Sequence, residues 1–104
     1  MPESKARPVR FVVFHRPGPE WQYGIDFREQ KGIEQHVQHY LNFFKQGKLE
    51  MGGPFLITDA GGMMVPAAGV TQAEMEEFAA ADPAVRSGLL VYEIRPWLTP
   101  MDRT

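Results

Sequence analysis

Proton transfer is the chemistry this sequence is best equipped for, and its candidate carrier is His36. An imidazole titrates near neutral pH, so one held at the border of core and solvent can take a proton from a small substrate and return it. In the stretch IEQHVQHYLNFFK, residues Ile33, Val37, Tyr40, Leu41 and Phe44 recur on one helical face. At about 100° per residue, His36 lies roughly 60° from the centre of that stripe, close to Phe43, and His39 roughly 120° away. The spacing therefore predicts His36 at the boundary and His39 in water. A plainer role also fits: a helix-flank histidine bonded to a backbone carbonyl. Asp82 precedes Pro83, where turn capping alone accounts for a carboxylate.

Other chemistries are poorly served. With no cysteine, thiolate nucleophiles, disulfides and cysteine-ligated metals are excluded. His36 and His39 stand at i, i+3 without a third ligand placed by sequence, so no metal and no other cofactor is expected. Ser87 lacks a nucleophile-elbow context, and no glycine-rich phosphate loop is present. Met51, Met63, Met64 and Met75 read as core before they read as an adaptable pocket. Eleven basic against 13 acidic residues, a net charge of -2 and a pI near 5.9, with only the small Lys5, Arg7 and Arg10 cluster, argue against nucleic acid as a partner. No apolar run is long enough to span a membrane, and MPESKARP has no apolar segment behind it to mark export, so a cytoplasmic protein is expected.

The elements that must position His36 follow from patterning. A chain of 104 residues makes one domain, with residues 1–8 and 99–104 expected as flexible tails. Val9 to His15 reads as a strand, with Phe11 and Val13 on one face and Val12 and Phe14 on the other, hence a central strand. Arg16 to Gln30 is a long connection carrying Trp21, Tyr23 and Phe27, either a pocket wall or a surface cover. The helix follows, starting as early as Asp26 and closed by Gly47. Lys48 to Phe55 and Met63 to Ala68 read as strands around a turn at Ile57 to Gly62, the second of them interrupted by Pro66. Thr71 caps a second helix, Glu74 completes a capping box, and Met75, Phe78 and Ala79 form its buried stripe. A short helical turn is expected from Pro83 to Arg86, then a last strand from Leu89 to Arg95, ended by Pro96.

The order β, α, β, β, α, β specifies an α+β, ferredoxin-like fold: a four-stranded antiparallel sheet with two helices on one face. The other sheet face, largely apolar in the first and last strands, would need cover, which predicts a homodimer packed sheet to sheet.

The run from His36 through Gly47 to Gly53 and Pro54, followed by Asp82, Pro83, Gly88 and the terminal Arg95, Pro96 and Trp97, resembles the YCII-related proteins, which are dimeric α+β barrels. The resemblance implies an acid/base pair at the positions matching His36 and Asp82. It also implies a small-molecule site near the Gly53, Pro54 and Phe55 corner, to which Tyr40 is added. Many members carry Arg three residues before the histidine, where this chain has Ile33; a substrate anion would then need another cation, for which Arg28 is the candidate. Dehydrochlorination of a chlorinated hydroxyquinol is among the few activities associated with the family.

Together these features predict a cofactor-free lyase or isomerase in which His36 is the base and Asp82 orients it. The competing expectation is a non-catalytic dimer that binds a small ligand or regulates, with the same residues only shaping the cavity.

Overall fold

The computed structural model describes residues 9–103; the tail expected at residues 1–8 lies outside them. Four strands form one antiparallel sheet in the order β2-β3-β1-β4: β1 Val9–Pro17, β2 Leu49–Pro54, β3 Gly62–Pro66 and β4 Leu90–Leu98. Helices α1 (Ile33–Lys45) and α2 (Gln72–Ala80) and the single turn α3 (Pro83–Arg86) complete a ferredoxin-like α+β fold. β1 is central because both its faces are apolar, and Val12 and Val13 are both buried.

The register sets what each face carries. Val13 pairs with Met64 of β3 and Ile94 of β4, and these lie on the helix side, where Tyr40, Phe43, Met75 and Ala79 close the core. The opposite face is less uniformly apolar than the sequence suggested. Phe14 pairs with Glu93 and Val12 with Arg95, and Glu93 bonds both Arg16 (2.6 Å) and Arg95 (2.8 Å), so a charged strip crosses it. The two guanidiniums, Arg95 first, hold the Glu93 carboxyl down near 2. Trp97 and Met51 stay exposed on the same face.

Several element boundaries differ from expectation. Pro96 does not end the last strand, which pairs on to Val9 opposite Leu98; β4 is an edge strand, where a residue without an N–H is tolerated. Pro66 closes β3 and does not interrupt it, pairing with Leu49. The first helix does not reach back to Asp26: Asp26 caps a separate 3-10 turn, Phe27–Glu29, and α1 begins only after Gly32 in the left-handed region. Thr71 Oγ1 accepts the Glu74 N–H, but the Glu74 carboxylate is taken by Lys48, so only half of the capping box forms. Past β4, Asp102 is tied to Arg10 at 3.3 Å.

Candidate active site

Three elements deliver the polar side chains. On β1 the alternation that turns Phe11 and Val13 toward the helices also turns His15 inward, at 2% exposure. On α1 the buried face consists of His36, Tyr40 and Phe43, one helical line by spacing. This face is rotated from the stripe read in the sequence: Val37 and Phe44 are 55% and 52% exposed and line a cavity instead of the core. His36 is accordingly buried, at 8%, and not at a half-solvated boundary. Asp82 stands immediately before Pro83 in the extended conformation that a following proline favours, and is fully enclosed.

Asp82 is shared between two tasks. Its Oδ1 accepts the Ala84 N–H at 2.9 Å and caps α3, while its Oδ2 meets His36 Nδ1 at 2.6 Å. Burial is the largest influence on this carboxyl and opposes its ionisation, but the His36 hydrogen bond and charge, the Ala84 N–H and His15 together outweigh it. The net direction is below the usual carboxylate range. Asp82 is thus an anion that accepts the Nδ1 proton of His36, leaving His36 Nε2 as the proton acceptor.

A second polar pair lies alongside. His15 Nε2 is 3.0 Å from the Tyr40 hydroxyl, and the rings of His15, His36 and Tyr40 stand edge to face with centroids 4.9–5.4 Å apart. Burial, reinforced by His36, lowers the His15 pKa to about 4, against smaller opposing effects of Asp82 and the Val91 backbone; the ring is neutral at physiological pH. Burial, then the Asp82 charge, pushes the Tyr40 phenol well above its ordinary value. His15 Nδ1 has no partner in hydrogen-bonding geometry, although the Val91 carbonyl is near enough to favour a proton on the ring.

These groups form one end of a cavity of about 390 Å³ whose remaining walls are mostly apolar, among them Trp21, Phe27, Leu41, Phe44 and Met64. Of the residues singled out in the sequence, His36, Tyr40, Gly53 and Pro54 line it. Asp82 lies behind His36. Phe55 and Arg28 line a smaller adjoining cavity of about 120 Å³, and Arg28 is bound to Asp26 (3.1 Å) over the Phe27 ring. Among the described residues no Lys, Arg, Asp or Glu lines the larger cavity.

The long connection is a wall of the site. Trp21 Nε1 donates to Asp59 Oδ1 at 2.8 Å, and the buried Gln30 amide bonds the backbone at Gln22 and Ile25, which fixes the loop from inside. His39, expected in water, is half-buried, stacked on Phe78 with Nε2 2.7 Å from the Phe78 carbonyl oxygen, and so turned to a different partner from His36. The group with metal-compatible proximity is therefore His15, His36 and Asp82, whose ligand atoms lie within 4.8 Å of one another. His36 Nδ1 and Asp82 Oδ2 are bonded to each other and His15 Nε2 to Tyr40, so the set is satisfied internally.

His15 and Gly61 are cavity residues that sequence reasoning missed, whereas Trp21 belongs to the connection read there as a pocket wall or a surface cover. The available signal for His15 was parity: it continues the Phe11, Val13 face of a strand whose faces were already assigned. Gly61 has φ +78°, and a Cβ there would run into the His15 carbonyl oxygen, so glycine is required for the β2–β3 loop to close against the site.

Residues 9–98 match the family model described as the YCII-related domain. No curated protein and no solved structure matches the chain.

Proposed function

Since the chain belongs to the YCII-related family, we propose that it is a cofactor-free lyase or isomerase that moves a proton on a small substrate held in the large cavity. The observation that carries this reading is the His36–Asp82 hydrogen bond of 2.6 Å at the wall of a cavity roomy enough for a substrate. Asp82 fixes the ring tautomer and stabilises the imidazolium, while His36 Nε2 takes a proton. In isomerisation it returns that proton to a neighbouring atom. In elimination the electron pair left behind forms the new double bond, the leaving group departs as its anion and His36 later gives the proton to solvent. Elimination, isomerisation and tautomerisation need nothing further. A positioned acid/base contributes about 10² to 10⁴-fold, so the substrate must itself be activated, as in a ring carrying a leaving group or an acidic C–H. Gly53, Pro54 and Tyr40 bound the substrate on this reading; Arg28 and Phe55 belong to the approach.

We assign the working form as a homodimer joined through the open sheet face, where Trp97 and Met51 lie exposed beside the Arg16, Glu93 and Arg95 strip. A cytoplasmic location is part of the same proposal.

The test is a panel of halogenated hydroxyquinols and cyclic ketones with acidic C–H bonds, followed by halide release and by solvent deuterium uptake. Turnover that His36→Ala abolishes and Asp82→Asn reduces at least tenfold, with both variants folded, supports the reading. Equal turnover by His36→Ala overturns it. Binding of panel members with no turnover by the wild type favours the ligand-binding alternative, for which the mostly apolar cavity wall is the supporting observation.

A further inference from the structure

The proton-transfer reading leaves His15 and the hydrogen bond it makes with Tyr40 unused, and that bond bears on what the cavity accepts. A neutral imidazole carries one proton and one free lone pair. His15 Nδ1 makes no full hydrogen bond, but the Val91 backbone acts on the ring in the direction that favours a proton, and with Nε2 engaged by Tyr40 the nitrogen left to carry that proton is Nδ1. The network therefore assigns the proton to Nδ1 and the lone pair to Nε2, into which the Tyr40 hydroxyl donates at 3.0 Å. Tyr40's only proton is committed, and its oxygen has lone pairs alone to offer.

His36 is in the same condition. Its Nδ1 proton is held by Asp82, so its Nε2 is likewise an acceptor. The polar end of the cavity thus presents side-chain acceptors, and among the described residues its walls carry no Lys or Arg for an anionic group and, at this end, no side-chain donor left free for a carbonyl.

From this complementarity we infer that the site selects uncharged ring compounds bearing an O–H or N–H donor, with Tyr40, its own proton held by His15, as the second substrate contact beside His36. His15 is a positioning residue that acts through Tyr40. A cavity of about 390 Å³ suits one ring with small substituents. The inference rests on the proton-transfer reading only for the orientation of His36, since it concerns binding and not turnover.

Phenol, anisole, acetophenone and benzoate are the probes, titrated at neutral pH into wild type and variants by calorimetry and by amide chemical shifts. Phenol should bind about tenfold more tightly than anisole, the difference expected for a buried acceptor left unpaired, and more tightly than acetophenone or benzoate. Tyr40→Phe, close in volume, should weaken phenol and leave anisole unchanged. His15→Gln, whose amide oxygen can accept from Tyr40, should keep the full preference, while His15→Leu, which cannot accept, should reduce it as Tyr40→Phe does. Anisole or acetophenone binding as tightly as phenol overturns the inference, as does a preference that Tyr40→Phe leaves at its full size. Should Tyr40→Phe fail to fold, the phenol to anisole ratio on the wild type decides alone. A wild type that shows the preference but no proton transfer on any panel member would refute the catalytic reading and leave this one standing.

Discussion

His15 makes the stability of this protein depend on pH in a predictable window. Burial is the main reason that its folded pKa falls from 6.5 to about 4, with the neighbouring His36 acting in the same direction. Between those values the unfolded chain binds a proton at residue 15 that the folded chain excludes, so stability must fall as pH falls through the window and level off below it. A shift from 6.5 to about 4 corresponds to about 3 kcal/mol, a large share of a typical domain's 5–15. Asp82 acts elsewhere: its folded pKa is depressed, so its contribution is present above its unfolded value of 3.8 and is lost only below that. The groups facing His15 are His36, Tyr40 and His39 from α1, Asp82 at the start of α3 and the Val91 backbone of β4. The perturbation is His15→Gln, which keeps a partner for Tyr40 and removes the titration. Urea unfolding of wild type and variant at several pH values between about 7 and 4 gives the stability difference at each. The variant should gain about 3 kcal/mol on the wild type as pH drops across the window. A difference that stays constant within about 0.5 kcal/mol would show that residue 15 does not titrate as its surroundings dictate.

Gly61→Ala should cost at least about 2 kcal/mol in thermal unfolding, because the new Cβ meets the His15 carbonyl oxygen at a residue with φ +78°; a loss below about 0.5 kcal/mol would mean the loop shifts freely. Phe44→Ala removes a half-exposed ring from the cavity wall, so it should cost no more than about 1.5 kcal/mol of stability while weakening phenol binding several-fold. A loss near 4 kcal/mol, the scale of a core phenylalanine, would place that ring in the core instead.

The fold was legible because its signals are local. β-branched and aromatic residues with apolar side chains on both faces mark β1 as central, Thr71 and Gly47 mark helix ends, and Asp82 with Pro83 marks the start of a turn. The family resemblance paired His36 with Asp82, and the structure brings the two within 2.6 Å. Helical phase was harder. Hydrophobic spacing on α1 locates a stripe but does not separate side chains that pack against the sheet from those that wall a cavity, since both are apolar. The helix is therefore rotated relative to the reading, which moves His36 inward and exposes Val37 and Phe44. Pro96 misled for a related reason: whether a proline ends a strand depends on whether the strand is an edge, and edge status is a property of the whole sheet. His15 was passed over because a single polar residue at the end of an apolar strand gives no warning of the side chains that a helix 20 residues onward will set against it.

Asp82 both caps α3 and bonds His36, two contacts made by one arrangement. Capping α3 with Oδ1 fixes the carboxylate plane, and with the plane fixed Oδ2 reaches His36 at 2.6 Å. The Ala84 N–H also helps keep the carboxyl ionised against burial, which is the charge state His36 needs from its partner. The backbone of a single helical turn thus helps position a carboxylate against an imidazole on a different helix, and Pro83, by restraining Asp82 to extended geometry, sets the approach. A buried carboxylate with both oxygens engaged has little freedom to reorient, so His36 is held with its Nε2 side turned away from Asp82. The same atoms therefore stabilise the fold and orient the His36 ring, and loss of the Asp82 charge must weaken both together.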